Sequence, residues 1–400
     1  MAPSHREAAR EPLPASLYLH IPWCLSRCPY CDFNVYAART WPEEEYTGAL
    51  VRELEWFTER EPFGSTTLGT VFFGGGTPSL FSPASIERIL RAITHRFETS
   101  ADLEVTLEAN PGTVDAGRLG GFRDAGVNRL SLGLQTFQPR LLEALGRRHD
   151  VNQSREALEA GRKAGFDRLS LDLMYAIPTQ TRAELEDDLV QASDAGPDHV
   201  SAYALIFEPG TPLTRELEAG RIERLSEKTE AEMYETVGET LGAAGLVQYE
   251  ISNYCLPGQE ARHNQAYWRG HPYLGLGAGA HCFAPHGAPP APDATFGVRW
   301  QNERDPARYR EKVERDGHAI AEHETLSRGQ ALGEFCWLRL RENRGLDRDE
   351  FRRRFDAGFE EIFPHVADLR SEGLLEEREG RLALSSTGRL LADSVFASFF

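Results

Sequence analysis

Ile21-Pro22-Trp23-Cys24-Leu25-Ser26-Arg27-Cys28-Pro29-Tyr30-Cys31-Asp32-Phe33-Asn34 places three cysteines in a C-x3-C-x2-C spacing. Thiolates are the usual protein ligands of iron–sulfur clusters, and four of them saturate a four-iron cube. Three in one short loop, with no fourth close by, leave one iron open to a small molecule. Other readings fit the same thiols. A zinc site needs a fourth ligand and tetrahedral closure, and His20 is the nearby candidate. Cys28 and Cys31 have the spacing of a redox dithiol, in which Cys24 would have no part. The remaining cysteines, Cys255, Cys282 and Cys336, are scattered, and read as buried small side chains rather than halves of disulfides.

The 400 residues allow two or three domains. Hydrophobic residues make up 40%, enough for a sizeable core. No run approaches the ~18 consecutive apolar residues of a membrane span. Residues 1–15 mix charge, Pro and Ala and read as a loose tail, not a signal peptide. A cytoplasmic location is expected, where thiols stay reduced. The net charge of −18 argues against nucleic acid as a partner, because phosphate binding needs a basic footprint. Lys163, Lys228 and Lys312 are the only lysines.

Short apolar runs alternate with amphipathic segments from residue 16 onward. Strands are expected at Leu17–Ile21, Thr70–Phe73, Leu103–Leu107, Arg129–Leu134, Arg168–Met174 and His199–Leu205. Helices are expected at Glu43–Arg60, Pro83–Phe97, Asp115–Ala125, Asn152–Ala164 and Arg182–Ala195. Ser82 is a suitable N-cap for the second, with Pro83 at its first position. Alternating strands and helices imply a parallel sheet of α/β class, with function at the C-terminal ends of the strands. The distinctive residues fall there: the cysteines, the run Gly74-Gly75-Gly76-Thr77-Pro78, Glu108, Gln135 and Asp172. The domains then run 16–210, a less regular connecting region 211–324, and 325–400. The last part combines helices with a hairpin around 378–380 and reads as a winged-helix-like α+β module.

The glycine run lacks the Lys-Ser/Thr of a phosphate loop. A tight turn is one explanation, and a bare backbone approaching a ligand is another. Glu108 and Asp172 are carboxylates in apolar strands, where an ionised carboxylate needs a partner. Arg129 or Arg147 could pair with them. Beside a cluster they could instead accept hydrogen bonds from a bound cofactor.

Several motifs together resemble the radical S-adenosylmethionine (SAM) family of oxygen-independent coproporphyrinogen III oxidases, most closely its HemW branch of haem chaperones. They are Tyr18–Cys24, Gly74–Ser79, Glu108–Thr113, Gly133–Phe137, Leu171–Met174, Gln248–Tyr254 and His263-Asn264-Gln265-Ala266-Tyr267-Trp268. The resemblance covers nearly the whole chain and implies a partial (β/α)6 barrel. It implies that Cys24, Cys28 and Cys31 hold a [4Fe-4S] cluster. It further implies that Tyr18, Tyr30, Gly75, Gly76, Thr77, Glu108, Gln135, Arg147 and Asp172 contact SAM. The oxidases carry a fourth cysteine two positions after the third; here that residue is Phe33, as in the chaperones. The HNxxYW motif also marks the chaperones and makes His263 the candidate haem ligand, with His281 a second. Read alone, His263 is a loop histidine, for which a structural or exposed role is the better explanation. The expected function is haem uptake and delivery to apo-haemoproteins. The alternative is radical decarboxylation of coproporphyrinogen III. Oligomeric state is left open, a homodimer being one arrangement.

Overall fold

The six expected β–α repeats form one parallel sheet that curls into a partial barrel. In the computed structural model, which describes residues 14–286, 288 and 291–400, the strands are β1 (Ala15–Ile21), β2 (Leu68–Gly75), β3 (Thr99–Ala109), β4 (Arg129–Gln135), β5 (Arg168–Tyr175) and β6 (His199–Ala204). They pair in sequence order, every pair parallel. The helices between them are α1 (Glu43–Thr58), α2 (Pro83–Arg96), α3 (Ala116–Asp124), α4 (Val151–Lys163) and α5 (Arg182–Asp194). Their N-termini are written in the sequence. The Ser82 hydroxyl accepts the Ser85 N–H, and Asp150 and Thr181 complete capping boxes with Gln153 and Glu184. Alternating residues point through the sheet, so Leu17, Leu19 and Ile21 join the core under the helices while Tyr18 and His20 turn into the barrel lumen.

The connecting region is more ordered than its sequence suggests. After α6 (Glu227–Ala243) the short strands β7 (Val247–Gln248) and β8 (Asn253–Cys255) add antiparallel to the β6 edge. A short helix, α7 (Arg262–Trp268), carries the HNxxYW motif. Next come β9 (Tyr273–Leu276), β10 (His281–Ala284), β11 (Val298–Asn302), α8 (Pro306–Asp316) and β12 (Ile320–Thr325). Strand β9 pairs parallel with β1 and the rest continue antiparallel, giving one sheet of order β12-β11-β10-β9-β1-β2-β3-β4-β5-β6-β8-β7. These strands are mostly two to five residues long and interrupted by glycines, so no alternating pattern announces them. Buried Glu53 of α1 ties this extension down. It accepts hydrogen bonds from Tyr309, Asn302, and the Gly277 and Ala319 amides.

A second core begins at Ala331 and holds α9 (Arg328–Arg341), α10 (Arg348–Phe355) and the hairpin of β13 (Leu375–Arg378) and β14 (Arg381–Leu384). Phe335, Phe351, Phe355, Phe359 and Phe363 interlock in it edge to face. Two short helices, Ser386–Leu390 and Ala392–Ala397, follow the hairpin. No helix among the described residues is long and apolar enough to cross a membrane. Of the expected N-terminal tail, residues 1–13 lie outside the described residues.

Candidate functional site

The cysteine loop leaves β1 at the mouth of the barrel. Cys24, Cys28 and Cys31 are free and half-buried, whereas Cys255, Cys282 and Cys336 are free and buried. Burial raises the thiol pKa of Cys24, and pushes that of Cys31 up to about 11. Among the described residues no three side chains converge on the position of a single metal ion. A four-iron cube does not require that, since each of its thiolates binds a different iron. His20 could not complete a zinc site in this conformation. Its Nδ1 meets the Tyr18 hydroxyl at 3.0 Å and its Nε2 meets the Asn34 carbonyl at 3.0 Å.

The glycine run packs on the cysteine loop. The Gly76 N–H donates to the Ile21 carbonyl at 2.8 Å and the Thr77 N–H to the Trp23 carbonyl at 2.8 Å. A Cβ on Gly76 would lie 2.6 Å from the Trp23 carbonyl oxygen. Gly75 has φ +107°, and a Cβ there would strike the His20 ring at 2.5 Å. These glycines thus admit the protein's own loop and imidazole, which the ligand-approach argument from sequence did not anticipate.

From Thr77 a polar chain crosses the mouth. The Thr77 hydroxyl donates to Cys24 Sγ at 3.4 Å and accepts from Asn110 Nδ2 at 2.9 Å. Arg147 donates to Asn110 Oδ1, to the Gly133 carbonyl at 2.8 Å and to Cys28 Sγ at 3.7 Å. Tyr30 lies against Arg147 and Cys28. Cys24, Cys28, Thr77, Asn110, Arg147 and His149 line a cleft of about 260 Å³. Asn110 holds this chain together; its only sequence signal was its place in the Glu108–Thr113 motif. Gln135, at the end of β4, has φ +71° beside a register break between β4 and β5. A side chain held in that region is strained.

Tyr18, Glu108 and Asp172 meet deeper in the lumen. Neither carboxylate makes an ion pair among the described residues. Asp172 accepts the Ser131 hydroxyl at 3.2 Å. Burial, reinforced by the Asp172 charge, pushes Glu108 up to about 8, and burial also raises Asp172. Arg129, 4% exposed, lies close enough to both to favour their charged forms. It opens β4, and the sequence had offered it, with Arg147, as a partner for these carboxylates.

His263 borders this lumen from α7. Its Nδ1 meets the Thr70 hydroxyl at 2.7 Å and its Nε2 the Tyr267 hydroxyl at 2.8 Å, while its N–H donates to Glu104 at 3.0 Å. Its ring stacks on Phe72. Glu104 precedes Glu108 by four residues on β3, while the imidazole ring lies 6.5 Å from the Tyr18 ring, centroid to centroid, and so borders the same lumen. Burial holds it down at about 3. The sequence reading offered His263 to haem iron. In this conformation both ring nitrogens are engaged inside the protein and neither faces a ligand. His281 is exposed at the start of β10.

Comparison with known proteins gives this geometry its family. Residues 18–192 match the radical SAM superfamily and 326–391 match the HemN C-terminal domain. The chain is 36% identical over 386 residues to the heme chaperone HemW of Bacillus subtilis, covering 96% of this chain and 98% of that one. It is 34% identical over 388 residues to HemW of Escherichia coli, with 96% and 98% covered. Among solved structures, the coproporphyrinogen III oxidase HemN of Escherichia coli superposes with a TM-score of 0.80 at 24% identity, over 98% of this chain and 91% of that one, which establishes the shared fold. The chain belongs to the HemW heme chaperone family within the radical SAM superfamily.

Proposed function

We propose that this chain binds haem and delivers it to apo-haemoproteins, with Cys24, Cys28 and Cys31 holding a [4Fe-4S] cluster whose open iron is chelated by SAM. The observation that carries the reading is the convergence of half-buried Cys24 and Cys28 with Thr77 and Arg147 on one cleft, in a chain alike over nearly its full length to heme chaperones. Three thiolates fit a cube with one open iron, and such a cluster supplies one-electron chemistry to SAM when reduced.

The protein's own groups have separate tasks. Arg147 is already turned toward the thiols by Asn110 and the Gly133 carbonyl, so its guanidinium is preorganised for the SAM carboxylate. Glu108 and Asp172 accept from the ammonium and the ribose hydroxyls. Tyr18, Tyr30, Gly75, Gly76, Thr77 and Gln135 complete the contact surface. Haem contact through His263 belongs to a state in which α7 has moved, since its nitrogens must first leave Thr70 and Tyr267. A cytoplasmic location fits the reduced thiols. Decarboxylation of coproporphyrinogen III is the competing activity, and Phe33 in place of a fourth motif cysteine speaks against it.

Asp172→Ala tests the SAM site. It is expected to weaken SAM binding at least tenfold by calorimetry with iron content unchanged. Unaltered affinity would return Asp172 to a purely structural role.

A further inference from the structure

Asp188 of α5 is a buried carboxylate, 1% exposed, that lies outside both the cleft and the lumen. It makes no ion pair among the described residues. Its partners are neutral donors, all from the segment that leaves β4. The Thr136 hydroxyl donates to one oxygen at 2.6 Å and the Phe137 N–H to the other at 2.8 Å. Gln138 Nε2 donates at 3.2 Å, and the Thr136 hydroxyl in turn accepts the Gln138 N–H at 3.0 Å. Burial pushes the Asp188 carboxyl up to about 6, so at pH 7 it is ionised and can only accept. A buried carboxylate facing no cation is costly, and an apolar residue would fill this place on the helix more cheaply. What Asp188 provides is two fixed backbone positions directly after Gln135.

Gln135 ends β4 at φ +71°. A residue with a side chain stays in that conformation only where its surroundings over-determine it. On one side the constraint is the register break against β5 between Gly133 and Gln135. On the other it is Asp188. The result is visible at Gly133, where a Cβ would lie 3.1 Å from Gln135 Nε2, 3.2 Å from Asn110 Oδ1 and 3.4 Å from an Arg147 nitrogen. The Gln135 amide therefore stands beside Asn110 and Arg147 in the polar chain at the mouth. Farther along, Gln138 Nε2 donates to Asp187 and Arg140 Nε to Glu184, each at 2.7 Å. Glu184, Asp187 and Asp188 share one face of α5 by their spacing. The two outer contacts are exposed and hold weakly. Those of Asp188 are buried, and bonds to a charged acceptor are the stronger kind.

We infer that Asp188 is a positioning residue of the SAM site, which holds Gln135 in its left-handed conformation by pinning Thr136 and Phe137. The inference rests on the SAM reading above and adds a residue that contacts neither SAM nor the thiols. With the clamp loosened, Glu184 and Asp187 still keep the segment on α5. Gln135 is then free to relax toward the extended region and swing its amide away from Asn110 and Arg147.

The test is calorimetric titration of the anaerobically reconstituted full chain with SAM, with iron content and the EPR spectrum of the reduced cluster recorded for each variant. Asp188→Asn keeps the size but accepts at one oxygen only, so either Thr136 or Phe137 loses its hold. It is expected to weaken SAM binding about tenfold, with iron content and the SAM-free spectrum unchanged. Thr136→Val leaves the carboxylate in place and is expected to cost several-fold; it carries the same test should Asp188→Asn fold poorly. The decisive variant combines Asp188→Asn with Gln135→Ala. Both changes act through one side chain, so the double variant is expected to bind within about twofold of Gln135→Ala alone. A purely structural Asp188 would lower the melting temperature without this coupling. Unchanged SAM affinity in Asp188→Asn or Thr136→Val, or losses that multiply in the double variant, would overturn the positioning role. A parent protein that holds its cluster and takes up no SAM would instead overturn the SAM reading itself.

Discussion

Glu108 sits in the lumen with burial, not a contacting guanidinium, controlling its proton. Its carboxyl rises from an ordinary 4.5 to about 8 on folding. Between those values the folded chain holds a proton that the unfolded chain has released, so this residue's contribution is full below pH 4.5 and is lost as pH rises through 8. Glu108→Gln is therefore expected to flatten the fall in melting temperature between pH 5 and pH 8.5 in SAM-free protein. At pH 8.5 it gains on the order of a few kcal/mol over the parent. Parallel pH profiles for the two proteins would refute this origin of the shift. The same variant is expected to bind SAM more weakly, the exchange of stability for function usual at a built site. Cys28→Ala is expected to abolish the four-iron absorbance after reconstitution; full iron content would remove Cys28 from the ligand set. Cysteine spacing and carboxylates in apolar strands were readable because residue type alone exposes them. Arg129 was named as one of two candidate partners, but its place beside both carboxylates was not readable, since only closure of the barrel turns the first residue of β4 inward. Nor was the positive φ of Gln135, which depends on the register break beside it.

The element that most changes the sequence reading is α7. As a motif, HNxxYW suggested a haem ligand. As a helix, it seats His263 between Thr70 of β2 and its own Tyr267, one turn on, with Glu104 of β3 receiving the backbone amide. Motif recognition supplied the residues but not their orientation, which depends on strands nearly 200 positions away. His263→Ala is accordingly expected to lower stability by about 2–4 kcal/mol, through a cavity and two hydroxyls left without their partner. Urea unfolding midpoints measure this directly. A loss below about 0.5 kcal/mol, the range of surface substitutions, would mean that α7 is not held as described. The β–α repeats were legible to within a few residues because their periodicity and caps agree. The β7–β12 extension was not, because its short edge strands are specified by pairing partners such as Glu53 and by register, not by their own pattern.

Across the whole molecule, the C-terminal unit is bound to the barrel largely through arginine. Arg339 of α9 donates to the Trp268 carbonyl and to the Arg269 carbonyl at 2.7 Å, and pairs with Glu350. Arg269 pairs with Glu342 at 2.8 Å, and Arg341 with Glu250 at 2.7 Å. These contacts brace the end of α7 itself. Arg339→Met removes one buried partner and leaves Glu350 and two carbonyls uncompensated, a loss of about 3–5 kcal/mol. Limited proteolysis is expected to cut it faster near residues 326–328 than the parent, with cluster content unchanged; an identical digestion pattern would show that the two units are held together by something else.

The most direct measurement of the central claim is haem transfer. Reconstituted, SAM-loaded protein carrying one bound ferric haem is mixed with excess apomyoglobin, and the myoglobin Soret band is followed anaerobically. In parallel, coproporphyrinogen III is supplied with a reductant and its products are analysed. The account predicts saturable haem loading, passage of haem to the acceptor at a rate that rises with acceptor concentration, and no vinyl product. Absence of saturable loading together with conversion of coproporphyrinogen III would contradict it and establish the oxidase instead.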